Sequence, residues 1–413
     1  MPVRRAVTLT FAVWAVGLVL GELLQQVAAG AAVLCALVLA FRRRLFLAQD
    51  VKAYVLATVA LTSWQVLSPA VALLTGAADR WPRWARYGQV LDTASAAAVA
   101  SAGTVGVPWL LIAGLALGGW VLSGALGLFQ HLVRWPWEPP ALFKLSLARL
   151  HENFGTEEHP RYAAGGFVFH RLRFSHGAMA VLGPALACLA RARPVWLRGL
   201  AAVSLCALLL APYTAFARAA LLTGLMVCAV ALVLLVRGTP RKVGMALAVV
   251  LVGLVVATPA WRARLGKAVE NIYGGERSLA MSVGGRLVRE HPLVGVGFGN
   301  YKPAALATQE ETGISDLLST DAHNLWLTVW AETGLVGLLL LAAVHGLLAR
   351  ALIRRHRQGS IPATGALLSF VGFHLLALVH YLPFHSSVHL SFAFVWGLGL
   401  CKWKHPERAD EGR

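Results

Sequence analysis

Apolar runs of about 17–25 residues, the length a helix needs to cross roughly 30 Å of hydrocarbon, recur along this chain from one end to the other. That repetition admits few folds. Of the 413 residues, 58% are hydrophobic and 14% charged, whereas a soluble domain carries about 25% charged residues. The sequence therefore reads as an all-α, polytopic membrane protein. About twelve helical spans can be traced, roughly 6–21, 26–41, 52–74, 92–107, 109–130, 176–190, 195–212, 218–236, 242–259, 323–349, 361–382 and 387–401. Only a Gly/Pro break near Gly103–Pro108 divides the fourth from the fifth.

A net charge of +18 would suit a nucleic-acid partner if the basic residues formed one patch. They lie instead in short connectors between apolar runs, the pattern that the positive-inside rule produces. No nucleic-acid partner is expected. If the spans alternate, Arg42–Arg44, Arg191, Arg193 and Arg198, Arg237, Arg241 and Lys242, Arg350, Arg354, Arg355 and Arg357, and Lys402, Lys404 and Arg408 share one side. That side is the cytoplasm, and both termini lie there. Arg80, Arg83 and Arg86 depart from the trend by falling outside. The N-terminal Met1-Pro-Val-Arg-Arg5 and its apolar run read as an uncleaved signal anchor, because a second apolar run follows at once. Cys35, Cys188, Cys206, Cys228 and Cys401 form no CxxC pair. They read as small apolar side chains, not as a disulfide framework or metal site.

Two outer segments are too long to be connectors. The expected organisation is N-terminal helices over 1–130, an outer segment 131–175, central helices 176–259, a large loop 260–322, C-terminal helices 323–401 and a tail 402–413. Within the first outer segment, Leu142, Leu145, Leu147 and Leu150 predict an interfacial helix in Pro139–Asn153. The large loop follows the ninth span, with a helix predicted around Ser278–Glu290. No internal repeat suggests the paired halves of a transporter.

Chemistry-bearing residues gather at outer helix ends. His323 and Asn324 stand where the large loop meets a long apolar run. A neutral imidazole there can act as a general base near physiological pH; it can equally be a histidine that satisfies backbone at a helix start. Asn324 is a cap or a substrate contact. Glu332 lies nine residues on, too far along and around the helix to orient His323, and reads as a structural partner. Trp326 and Trp330 read as an aromatic belt and packing. Arg218, in Ala211-Pro-Tyr-Thr-Ala-Phe-Ala-Arg218, breaks the positive-inside trend, and its guanidinium suits bidentate phosphate binding or snorkelling to headgroups.

Arg277 precedes Arg286 and Arg289 at helical spacing, and these face an anionic ligand or solvent. The glycines of His291-Pro-Leu-Val-Gly-Val-Gly-Phe-Gly-Asn-Tyr301 are not set between a strand and a helix, so close packing or a tight turn is favoured over nucleotide binding. Arg161, His170 and His176 approach the start of the sixth span, and His380, His385 and His389 share the last outer stretch. Their spacing lacks an HExxH-type pair, and no metal site is expected.

Taken together, Arg218, Arg277, His291-Pro-Leu-Val-Gly-Val-Gly297, His323-Asn324 and Glu332-Thr-Gly334 resemble the O-antigen ligase and polymerase superfamily, membrane glycosyltransferases of the GT-C type. The resemblance covers roughly residues 160–345. It implies a multi-pass protein of the bacterial inner membrane whose active site faces the periplasm. It implies further that outer arginines, here Arg218 and Arg277, engage the pyrophosphate of an undecaprenyl-linked glycan, and that His323 is the base. Arg286, Asn324, Arg161 and His170 are the further substrate-binding candidates. No cofactor is implied.

The chain departs from the family pattern in Met281, where Trp is common, in Ala215-Phe216-Ala217 before Arg218, and in a loose match over Phe167–His176. The leading expectation is a ligase that moves glycan onto a lipid A-core sugar by metal-independent, inverting displacement. A chain near 400 residues with one dominant late loop leans that way. A polymerase extending lipid-linked repeats is the alternative, with a protein O-glycosyltransferase behind it. From another class, a lipid-linked glycan flippase would carry its ionisable groups near mid-membrane.

Overall fold

The computed structural model describes residues 2–42, 44–134, 152–236, 275–308 and 320–403, with scattered positions between 238 and 261. Thirteen α-helices fall within them: α1 (Pro2–Leu20), α2 (Glu22–Phe41), α3 (Gln49–Leu74), α4 (Gly88–Ala102), α5 (Trp109–Leu132), α6 (Arg171–Arg191), α7 (Val195–Thr214), α8 (Arg218–Leu235), α9 (Glu276–Glu290), α10 (Tyr301–Ala307), α11 (Leu325–Arg357), α12 (Ile361–Ala377) and α13 (Ser386–Leu400). Eight of them, α1, α2, α3, α5, α6, α7, α8 and α11, are long and apolar enough to cross a membrane, and α12 and α13 are shorter apolar helices. The chain is an all-α polytopic membrane protein. The expected interfacial helix within Pro139–Asn153, the ninth span 242–259 and the tail beyond Trp403 lie largely or wholly outside the described residues.

Helix α4 is shorter than the fourth span expected from hydropathy. It ends in a 3₁₀ turn, Gly103–Val105, and Gly106 at φ 75° reverses the chain before Pro108 caps α5. Helix α11 runs longer than expected. Its basic last turns stay helical, and Arg355 Nη1 donates to the carbonyls of Leu400 at 2.6 Å and Cys401 at 3.1 Å, tying the end of α11 to the end of α13.

Helix α6 is the centre of the bundle, with 72% of its membrane-length window buried against 44% or less in the other long helices. It packs on α7, α8, α12 and α13. Its backbone nearly meets that of α12, where a Cβ on Gly365 would lie 2.7 Å from Pro184 Cα; small residues let two backbones meet where lipid gives little hydrophobic drive. Aromatic stacking fills the next layer, Trp14 on Phe394 at 5.0 Å and Trp120 on Phe174 at 5.8 Å.

The alternation of helices gives the bundle a basic end, with Arg42, Arg191 and Arg350–Arg357, and a loop end, where α6, α8, α9, α11 and α13 begin. At the loop end α11 is opened by Gly334, whose φ of 66° and ψ of −170° are non-helical. In an unbroken helix the Leu335 N–H would bond the Ala331 carbonyl. Here Leu335 donates to Pro292 O at 2.9 Å, and Ala331 O accepts from Val296 N–H at 2.9 Å. The Thr333 carbonyl, freed by the same break, accepts from Trp64 Nε1 at 2.9 Å. The loop motif beginning at His291 and the Glu332-Thr-Gly334 motif are thus two halves of one splice. Gly295, at φ 72°, fits because a Cβ would press on the Ala331 carbonyl at 2.6 Å. Close packing accounts for these glycines, as their sequence context predicts.

Candidate active site

Helix α11 begins in a tight set of side-chain bonds. Asn324 is the N-cap, its Oδ1 accepting the Leu327 N–H at 3.0 Å, while Nδ2 donates to Leu378 O at 3.0 Å and anchors the start of α11 to the end of α12. Thr328 Oγ1 accepts the Ala322 N–H at 3.1 Å. Both ends of the Asn324 amide are therefore engaged by the protein, the arrangement that its position before an apolar helix predicts. Between the cap and the loop stands His323, with φ of 52°.

That backbone turn has a chemical consequence. Asp321, buried at 4% exposure, accepts the His323 backbone N–H at 2.7 Å through Oδ1, and the same oxygen lies 3.6 Å from the His323 Nδ1. Thr320 Oγ1 holds the other oxygen at 3.2 Å. The carboxylate thus stands on the Nδ1 side of the ring, at ion-pair and not hydrogen-bond distance. Burial raises the Asp321 carboxyl above the ordinary range, opposed by His323 and more weakly by Arg86. Glu332 does other work. Its Oε1 accepts the Tyr301 N–H at 3.3 Å, and the Gly299 N–H also bonds the carboxylate, so Glu332 pins the loop to α11.

Arg218 and Arg277 are the first and second residues of α8 and α9. Each lies where the N–H groups of a helix start add partial positive charge. They are mutually close: desolvation and the field of Arg218 lower the Arg277 guanidinium from its ordinary range, and Asp321 opposes them. Arg218 is aimed by the turn before it. Phe216 adopts φ 49° and stacks on Trp261 at 6.0 Å, with Phe154 at 4.7 Å and His131 at 5.3 Å. The apolar Ala215-Phe216-Ala217 is thus an anchor for the arginine behind it.

Phe169, Phe216 and His323 are the non-glycine residues with positive φ among those described. All three stand at or just before the starts of α6, α8 and α11. A backbone forced into that region at three helix starts of one end marks a site over-determined by its surroundings.

The remaining candidates divide. His170 caps α6, its Nδ1 accepting from Arg173 N–H at 3.3 Å, with its ring 5.7 Å from that of His385. His176 lies 4.6 Å from His380, ring to ring. Arg277 is in the field of both, and His323 in that of His380. His389 sits elsewhere, against Phe373 and near His345 within the bundle. Arg286 pairs along its own helix with Glu290 at 2.7 Å. Arg161 is exposed and donates to its neighbour Pro160 O. Among the described residues no three His, Cys, Asp or Glu side chains are grouped to hold a metal.

Reasoning from sequence missed Asp321 and Arg86. The first reads as an ordinary turn residue; its signal was the spacing Asp-x-His before a capped helix. The second lies in the field of Asp321 and Glu332, with its guanidinium 5.4 Å from the Phe384 ring centroid. It belongs to the arginine group that broke the charge asymmetry.

Residues 178–342 match the model of a protein family described as O-antigen ligase. The matched stretch opens inside α6 and runs past the Gly334 break, so it contains Arg218, Arg277, Asp321 and His323. No curated protein matches the chain.

Proposed function

We propose that this chain, whose residues 178–342 match the O-antigen ligase family, transfers a glycan from undecaprenyl pyrophosphate to a hydroxyl of a lipid A-core sugar on the periplasmic side of the inner membrane. One observation supports the reading: Asp321, the buried carboxylate beside the His323 imidazole, and the Arg218 guanidinium both act electrostatically on Arg277, so a base and two helix-start cations gather at one end of the bundle. A base that takes a proton from an attacking hydroxyl and cations that receive a departing phosphate are the two requirements of such a transfer.

The chemistry balances without an added reactant. His323 Nε2 takes the proton of the acceptor hydroxyl as its oxygen bonds to the anomeric carbon. The bond from that carbon to the phosphate oxygen breaks, and its electron pair leaves on the diphosphate. Direct displacement inverts the anomeric centre. Arg218 and Arg277 stabilise the charge that builds on the leaving group, an electrostatic contribution worth several kcal/mol in a water-poor site. The base contributes on the order of 10²–10⁴ in rate. The imidazolium then gives its proton to water, with Asp321 holding the ring through the cycle.

The test is a reconstitution of the purified protein with undecaprenyl-pyrophosphate glycan and lipid A-core, with and without a chelator. Glycan attached to core is the expected product, unchanged by chelation, and His323→Ala abolishes it. Lengthening of glycan on the lipid carrier would assign a polymerase instead. Full turnover by His323→Ala would remove histidine from the mechanism.

A further inference from the structure

The mechanism above uses none of the polar side chains buried between α3, α4, α11 and α13. A cavity of about 40 Å³ lies there, lined by Gln65 of α3, Gln89 of α4, His345 of α11 and His389 of α13. All four residues are more than nine-tenths buried, between 7% and 8% exposed. On each, one atom has no hydrogen-bond partner among the described residues: Oε1 of the two glutamines and Nδ1 of the two histidines. A buried polar group without a partner is costly, and four of them around one cavity call for a ligand that completes them.

The path of α11 sets where this cavity lies. Trp326 and His345 are nineteen residues apart in the chain, a separation of about 28 Å along a straight helix. Their rings nevertheless lie 5.7 Å apart, edge to face. The break at Gly334 therefore folds the first turns of α11 back on the rest of the helix. Both arms reach the cavity, Leu325 from the first and His345 from the second. The arm that starts just after His323 and Asn324 thus borders the same space as the four polar side chains.

Size and chemistry decide the ligand. A space of about 40 Å³ admits about three waters and is too small for a sugar ring. An anion would meet amide oxygens, and a cation would meet imidazole N–H groups. Water gives and takes hydrogen bonds, so it completes amides and imidazoles whichever way each is turned. An apolar cavity can stay dry, whereas one ringed by polar groups holds water through several bonds. Within a membrane bundle, polar side chains are kept where a water-filled cavity serves them. We infer that this cavity is an internal hydration site, whose waters bond Gln65, Gln89, His345 and His389 and join α3, α4 and α13 to the folded-back α11. The site does not depend on which glycan or acceptor the protein takes.

The test is radiolytic labelling of the full chain in detergent micelles. Hydroxyl radicals made by a millisecond X-ray pulse react close to the water they come from, so a buried ring is hydroxylated only where water lies against it. Phe373 and Phe11 form a matched pair, 1% and 0% exposed, of which Phe373 lines the cavity and Phe11 does not. Mass spectrometry is expected to find at least about fivefold more label on Phe373 than on Phe11. Trp396, 3% exposed and also against the cavity, is labelled with it. In the double variant Gln65→Leu with Gln89→Leu, two of the four polar groups are gone, and the label on Phe373 falls by about threefold or more. Equal label on Phe373 and Phe11 in wild type overturns the inference. So does an unchanged label in the double variant, since the radicals would then arrive by opening of the bundle. If the double variant does not fold, the wild-type comparison of Phe373 and Trp396 with Phe11 decides the matter.

Discussion

Asp321 carries opposite consequences for stability and for turnover. Folding raises its carboxyl above the ordinary range, chiefly through burial. A carboxyl so raised binds its proton more tightly in the folded chain, so stability falls as pH climbs from the unfolded value through the folded one. Above the folded value the ionised group is therefore held at a cost. Asp321→Asn removes the charge and keeps an oxygen for the His323 N–H. The expected result is a melting temperature at neutral pH equal to or above wild type, with turnover lower by about tenfold or more because the imidazole loses its partner. Lower melting with turnover intact would mean that Asp321 is structural alone. Asn324 was legible from its place before an apolar run, because capping is a local rule. Asp321 was not, since its role depends on the left-handed backbone at His323, which no local pattern announces.

Two motifs far apart in the chain owe their residues to one splice. The glycines beginning at Gly295 were readable as packing features, whereas Thr333-Gly334 stood out only as part of the family resemblance. Their mutual contact was not, because nothing in either segment states that a helix breaks and lends its carbonyl to a loop. Gly334 has a backbone that other residues avoid, and a Cβ there would collide with the Leu293 carbonyl. Further along the same helix, Gly346 has open space where a Cβ would go. Thermal melting of the two alanine variants separates the effects. Gly334→Ala is expected to lose at least about 1–3 kcal/mol, the range for a residue forced into such a backbone, and with it activity, as the loop lifts from Ala331. Gly346→Ala should be neutral or stabilising by up to about 1 kcal/mol through helix propensity. Equal melting for both would show that the break is not held by Gly334.

Hydropathy and connector charge were enough to read the bundle and its two ends, because both patterns follow from the membrane. The site could not be read that way. It joins the starts of α6, α8, α9 and α11 with the turn before α13, segments whose proximity is set by how α6 packs against its neighbours. What those segments share is sign. Arg86, Arg171, Arg218 and Arg277 lie at one end, where helix N-termini add to the same potential. Arg277 is itself disfavoured by Arg218, a repulsion that the diphosphate of the proposed donor would relieve. The apparent affinity for an anionic donor should then depend on ionic strength far more than the chemical step does. Screening shortens from about 10 Å at 0.1 M salt to about 3 Å at 1 M, so KM for the lipid-diphosphate donor is expected to rise on the order of tenfold over that range. Its kcat should change by less than about twofold, because the bound pair is already desolvated. Arg218→Ala should flatten the salt dependence and raise KM at low salt. A KM indifferent to salt in wild type, or a kcat that falls in parallel, would mean that the clustered charge does not serve donor capture.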